Sequence, residues 1–354
     1  MAFENLKRKL EKGENITLGY LGGSITQGAG VEDKSLCWRS LTTEWFRKKY
    51  PKNEFCEINA GIGGTGTDLG MFRAKKDLLS GKPDVVFVEF AVNDHRAGFK
   101  MAQYCMESIV RQILEADEKT DIVFVITIAK FIQDDFKEGK KLESYEAHYS
   151  VAEHYGIECI DVGTEFISRI DKGEGDWKTY TTDYTHPNEY GYKLYFEKVT
   201  KEIERLMENG KSVVFAKPMH KDSFVHAEMI DACSLDGNFE KTNETLCGHF
   251  PTTAKAYGKG EYLEYEGDFD CVALYYRNCN TSGDIAVSID GKDYGNIRLW
   301  DTYALEFERA HHRMIAFELE SGRHNIRITS IGEKDERAQA GNAYIGALLT
   351  ARRF

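Results

Sequence analysis

The chain has no excess of positive charge, no C-x-x-C pair and no long apolar run, and each absence removes a class of function. Against 58 Asp and Glu stand 46 Lys and Arg, a formal net charge of −12 in 354 residues. The deficit is spread, 29 − 36 = −7 over residues 1–210 and 17 − 22 = −5 over residues 211–354. Neither part offers the basic footprint that nucleic acid or an anionic membrane surface selects, so neither is expected as a partner. The cysteines at 37, 56, 105, 159, 233, 247, 271 and 279 lie mostly in apolar strand-like runs and read as reduced, core-filling thiols rather than zinc or redox ligands. No run approaches the roughly 18 apolar residues of a membrane span. The start, MAFENLKRKLEKGENITLGYLGG, is a mixed-charge helical stretch followed by a short apolar strand, without the apolar core of a secretory leader. A cytoplasmic protein is expected.

What is present suffices for two domains with real cores, given the length and 42% hydrophobic content. From residue 16 to about 208, short apolar runs alternate with amphipathic stretches: ITLGYLG, FCEINAG, DVVFVEFAV, DIVFVITIA and IECIDVG, each but the last followed directly by a helical pattern. Near-continuous Val, Ile and Phe in the third and fourth runs is what parallel strands covered on both faces require. The expectation for residues 1–210 is an α/β domain, a flavodoxin-like doubly wound parallel sheet. Beyond ENGKS the pattern changes to short strands such as YLEYEGDF, CVALYYRN and HNIRITSI, separated by turn signals. For residues 211–354 this predicts an antiparallel β-sandwich of jelly-roll type. Asp290-Gly291 reads as a hairpin turn rather than a calcium loop. The charged insertion 130–148 follows the fourth strand on the ligand side of such a sheet, where a lid and a solvated loop are both open readings.

Four places could carry chemistry. The first strand ends in Gly22-Gly23-Ser24, which can expose a hydroxyl and the following backbone N–H. The second ends in the glycine-rich loop Asn59–Thr67, which lacks the lysine of a phosphate-binding loop but can present backbone donors. Asn93 follows the third strand, where its amide could donate to an oxyanion or merely close a turn. After the fifth strand come Asp183 and His186, spaced so that the carboxylate can orient the ring toward a serine. A D-x-x-H pair alone is uninformative at this composition. The argument lies in placement: all four fall at the carboxyl ends of parallel strands, and together they supply what acyl transfer needs.

These four blocks resemble those of the SGNH, or GDSL-like, hydrolase superfamily over residues 16–190. The resemblance implies that Ser24, Asp183 and His186 are the catalytic triad, that Ser24, Gly64 and Asn93 form the oxyanion hole, and that no metal or other cofactor is required. Two blocks depart from the family pattern. Gly23 stands where the family name records Asp, and Ala91 stands where a glycine is usual. A left-handed conformation at Ala91 would cost about 1–2 kcal/mol, so the turn there is either right-handed or different. An SGNH domain followed by a β-sandwich is similar to carbohydrate esterase family 17 acetyl-mannan esterases, in which a domain similar to carbohydrate-binding module family 35 follows. That implies removal of O-acetyl groups from plant-polysaccharide oligosaccharides. Lipase or thioesterase activity on longer acyl chains, and a non-catalytic carbohydrate-binding protein, are the alternatives. Trp177, Tyr184 and Trp300 are the expected sugar-contacting aromatics. The oligomeric state is open, a homo-oligomer included.

Overall fold

The structure is a computed structural model that describes residues 3–140, 142–220 and 223–353, with only the backbone at Phe136. Met1, Ala2 and Lys141, parts of the expected helical start and of the charged insertion, lie outside the described residues, as do Lys221, Asp222 and Phe354. The chain divides into two compact units, Met1–Ser223 and Phe224–Phe354.

In the first unit the order is α1 (Glu4–Lys12), β1 (Ile16–Gly22), α2 (Ser24–Gln27), α3 (Trp38–Lys49), β2 (Phe55–Gly61), α4 (Thr67–Asp77), β3 (Val85–Glu89) and α5 (Phe99–Ala116). It continues with β4 (Asp121–Ile126), α6 (Lys130–Lys137), α7 (Glu143–Tyr155), β5 (Glu158–Asp161), α8 (Val162–Asp171), α9 (Trp177–Tyr180) and α10 (Glu189–Asn209). The strands form one parallel sheet in the order β2-β1-β3-β4-β5. Every residue of β3 and β4 is buried, which their unbroken apolar runs anticipate. The strand order reverses between β1 and β3, so a crevice opens beyond their carboxyl ends, the place where open α/β sheets bind ligands.

The first unit extends beyond 210 because α5 carries a buried polar ladder that binds the chain after α10. Glu107, fully buried, accepts hydrogen bonds from Met219 N–H and Tyr155 O–H, both at 2.6 Å, and from the Ser223 hydroxyl. One turn either way, Arg111 donates to the Ala216 carbonyl at 3.0 Å and Gln103 pairs with His220 at 2.7 Å. Residues 211–220 and Ser223 therefore belong to a strap fixed to the first unit rather than to the start of the second, and the first compact unit ends at Ser223 instead of 210.

In the second unit the strands β6 (Phe224–Asp231), β7 (Asp236–Gly237), β8 (Glu240–Thr242), β9 (Thr253–Ala256), β10 (Tyr262–Asp268), β11 (Cys271–Asn278), β12 (Asp284–Ile289), β13 (Lys292–Arg298), β14 (Arg309–Ala316), β15 (Arg323–Ser330) and β16 (Ala343–Arg353) pair antiparallel with their neighbours. One sheet runs β13-β12-β15-β10-β7 and the other β14-β11-β16-β9-β8, with β6 also paired to β16. Leu263, Val287, Ile326 and Ile328 of the first share a core with Val272, Leu274, Ile345 and Leu348 of the second, making a β-sandwich. Asp290 and Gly291, at φ 53° and 73°, link β12 to β13 in the left-handed pair that a tight hairpin needs. All eight cysteines are free. Cys37, Cys105, Cys271 and Cys279 are buried as expected, but Cys56 is exposed and the rest lie between. Among the described residues no helix is long and apolar enough to cross a membrane.

Candidate active site

Strand β1 delivers Ser24 through a turn that only small residues can make. A Cβ on Gly22 would stand 2.5 Å from the Glu89 carbonyl oxygen, so β1 and β3 close together just before the serine. The Gly23 N–H then donates to that carbonyl at 3.2 Å, and Ser24 opens α2. Buried groups hold α2 from several sides. Thr26 Oγ1 donates to Glu89 at 2.9 Å, Arg39 Nε donates to the Thr26 carbonyl at 3.1 Å, and the Tyr192 hydroxyl spans the Ile25 and Ala29 carbonyls. Arg73, 1% exposed, donates to the carbonyls of Gly22 and Ala60 and ties the ends of β1 and β2.

The Asp183–His186 loop is a tight turn closed by Thr182 N–H donating to the His186 carbonyl at 2.9 Å. His186 Nδ1 lies 2.6 Å from Asp183 Oδ2, and its Nε2 lies 2.8 Å from Ser24 Oγ. Asp183 Oδ1 also accepts the backbone N–H of His186 at 2.8 Å and of Thr185 at 3.0 Å. Partial burial opposes ionisation of Asp183, but these bonds and the His186 charge outweigh it and hold its pKa below the usual carboxylate value. Since the carboxylate accepts from Nδ1, the neutral ring presents Nε2 as an acceptor toward the serine hydroxyl, the polarity that proton abstraction requires.

Three unspent donors surround the serine. Ser24 N–H sits in the first turn of α2 and has no intrahelical acceptor. Gly64, at φ 72° and exposed, offers an N–H that no acceptor takes among the described residues. A methyl on its neighbour Gly63 would lie 3.6 Å from Ser24 Cβ, so this loop passes beside the nucleophile position. The Asn93 carboxamide makes no hydrogen bond within the described protein and lies against Gly23, where a Cβ would meet its Oδ1 at 2.0 Å. The missing side chain at Gly23 is thus what admits Asn93. Ala91 is absent from the residues at positive φ, so its methyl carries no left-handed strain.

The expected aromatics fare differently. Tyr184 is 41% exposed, two residues before His186, with the Lys130 ammonium 5.2 Å from its ring centre. Its φ of 67° is stabilised by Thr181 Oγ1, which accepts its N–H, and by the Lys130 N–H donated to its carbonyl. Trp177 does not face a sugar: it is buried, packed on Phe166 at 4.9 Å, with its indole N–H donated to Gln133 on α6 at 2.8 Å. Trp300 is likewise buried, against Ala304 and Ala338 with the Arg337 guanidinium 4.6 Å from its ring centre. Both are apolar anchors in charged stretches, a pattern that resembles exposure in sequence.

Sequence reasoning missed Glu89 and His95. Glu89 is fully buried, takes the hydroxyls of Thr26 and Thr127, and burial pushes its pKa up to about 7. Its signal was one acid within the run VVFVEFAV. His95 donates from Nδ1 to the Val92 carbonyl at 2.9 Å, leaving Nε2 as an acceptor, and its ring lies 4.5 Å from that of Phe131. Burial chiefly lowers its pKa, which favours the neutral ring. Among the described residues no group of three or more His, Cys, Asp or Glu is placed to hold a metal ion.

Residues 20–194 match the sequence profile of the GDSL-like Lipase/Acylhydrolase family. No curated protein sequence matches the chain. A crystal structure of a two-domain esterase active on acetylated mannans, co-crystallized with mannopentaose, superimposes with a TM-score of 0.83 at 22% identity, covering 100% of this chain and 96% of the other. Another structure of a two-domain esterase active on acetylated mannans gives a TM-score of 0.86 at 20% identity, covering 99% and 96%. The first unit therefore carries a GDSL-like, SGNH-type ester hydrolase domain, and the whole chain has the fold of a two-domain esterase, an α/β unit followed by a β-sandwich.

Proposed function

We propose that the protein is a serine esterase that removes O-acetyl groups from plant-polysaccharide-derived oligosaccharides, mannan-derived ones foremost. The observation that carries the esterase part is the Ser24 Oγ–His186 Nε2 hydrogen bond of 2.8 Å beside three uncommitted donors. His186 takes the hydroxyl proton as Ser24 attacks the acetyl carbonyl, and Asp183 steadies the imidazolium that forms. Ser24 N–H, Gly64 N–H and the Asn93 amide receive the oxyanion. His186 then gives that proton to the sugar oxygen as the C–O bond breaks and, as base, takes a proton from the water that attacks the acetyl-serine, passing it to Ser24 Oγ as acetate leaves. The glycan part is supported by the full-length likeness in fold to an esterase active on acetylated mannans. The half-exposed Tyr184 ring beside His186 adds a surface on which a pyranose could stack.

The test is mass spectrometry of acetylated mannan and xylan oligosaccharides before and after treatment, with Ser24→Ala as control, beside a series of p-nitrophenyl esters of rising acyl length. Loss of acetyl groups, steepest on mannan, and a sharp fall in rate beyond acetate are expected. An optimum at long acyl chains with intact oligosaccharide acetates would refute the proposal.

A further inference from the structure

The two donors that come from outside the serine turn sit on separate loops, Gly64 before α4 and Asn93 after β3, and both must aim at one oxygen. A single buried carboxylate joins those loops. Asp94, the residue after Asn93 and 3% exposed, accepts the Thr67 N–H at 2.9 Å through Oδ1 and the Thr67 hydroxyl at 2.8 Å through Oδ2. Thr67 is the first residue of α4, and the residue in the cap position, Gly66, has no side chain with which to cap it. Asp94 therefore supplies from the neighbouring loop a side-chain acceptor for a first-turn N–H of α4, where Gly66 offers none. The fit is close, since a Cβ on Gly66 would lie 2.2 Å from Asp94 Oδ1.

The second oxygen of that carboxylate has a further partner. His148, on α7 and 1% exposed, stands with Nε2 2.8 Å from Asp94 Oδ2. A carboxylate can only accept, so Nε2 carries the proton, and the imidazole fixes the direction in which Asp94 faces Thr67. Neither residue is among the expected catalytic groups, and a hydrogen-bonded polar pair this deep is costly to retain unless its geometry serves something.

We propose that Asp94 and His148 are a positioning pair, which holds the Gly64 and Asn93 loops in the one register where both donors meet the developing oxyanion. The inference rests on reading Ser24, Gly64 and Asn93 as an ester-hydrolysing site and deepens it. Loosening the pair separates the donors without touching substrate, and small misplacements of this kind cost up to about 100-fold in rate.

The experiment uses the full-length protein and p-nitrophenyl acetate, with each rate divided by the amount of Ser24 that a fluorophosphonate titrates, so that misfolded protein is not counted. For His148→Ala, kcat per titrated serine is expected to fall at least about tenfold with KM within about threefold. Binding of phenylboronic acid, whose tetrahedral adduct uses the same donors, is expected to weaken in step. His148→Gln, whose amide can replace the Nε2–H, is expected to recover most of the loss. Should His148→Ala fail to fold, Thr67→Val decides, because it keeps shape and backbone N–H but deletes one bond to Asp94. A several-fold loss confined to kcat supports the proposal. Unchanged kcat per titrated serine in the folded variants, with only a lowered melting temperature, overturns it. A wild-type protein that hydrolyses no ester and takes no label would instead overturn the reading of the site beneath it.

Discussion

Gly23 is one of the glycines at the site and among the most constrained. Its α-carbon packs under the Asn93 carboxamide, so closely that an added Cβ would stand 2.0 Å from Oδ1. Gly23→Ala should therefore act as a displacement of Asn93. Steady-state kinetics should show kcat lowered by roughly 10²–10³, the size expected for Asn93→Ala, and the double variant should be little worse than either. Additive losses would show that Gly23 acts elsewhere. Asp183→Asn should lower kcat by on the order of 10³–10⁴ in the same assay, because an amide there no longer holds the ring in the tautomer that faces Ser24. Gly23 and Asn93 were legible in the sequence because each follows a recognisable strand, and Asp183 because it stands three residues before a histidine. Asp94 and His148 were not, because their meaning depends on a contact across 54 positions of chain.

Elements reveal what holds the site together. The charged insertion contains α6, which is pinned rather than free: Trp177 donates to Gln133 and the Lys130 N–H bonds the Tyr184 carbonyl. Trp177→Phe should cost about 1 kcal/mol in chemical denaturation while leaving KM for an oligosaccharide unchanged. A large KM increase would return Trp177 to the substrate. The strap on α5 gives a stronger test. Glu107→Ala leaves Met219 N–H, the Tyr155 hydroxyl and the Ser223 hydroxyl without their acceptor. A loss of about 2–4 kcal/mol is expected in urea unfolding, with new proteolytic cleavage within 211–223. The strands β1 and β2 coincide with the runs ITLGYLG and FCEINAG because turn residues bound those runs on both sides. Helices α8 and α9 were missed because residues 162–180 mix charge and glycine without a sustained apolar stripe.

At the scale of the whole molecule, two buried acids make stability depend on pH. Burial raises Glu89 and Asp121 each to about 7, above their unfolded values near 4.5 and 3.8. The native state therefore holds more protons than the unfolded chain between about pH 4 and 7, and stability falls as pH rises through that window. The loss is on the order of 3 kcal/mol for Glu89 and on the order of 4 kcal/mol for Asp121, complete above the folded pKa. Urea midpoints measured from pH 5 to pH 8 should decline, and Glu89→Gln should flatten the decline. A wild-type midpoint that rises over this range would contradict the assignment. The change from alternating β-α grammar to pure strands was legible in the sequence, but the joint was not, since residues 211–223 carry no helix or strand signal in the sequence and it is Ala216, Met219 and His220 that partners on α5 hold.

That joint has a practical corollary for anyone who wishes to excise the hydrolase. A gene fragment stopped at Gly210 would strip the cover from α5 and take from the Glu107 carboxylate the donors Met219 and Ser223, leaving Tyr155 as its hydrogen-bond donor among the described residues, whereas one stopped after Ser223 keeps all three.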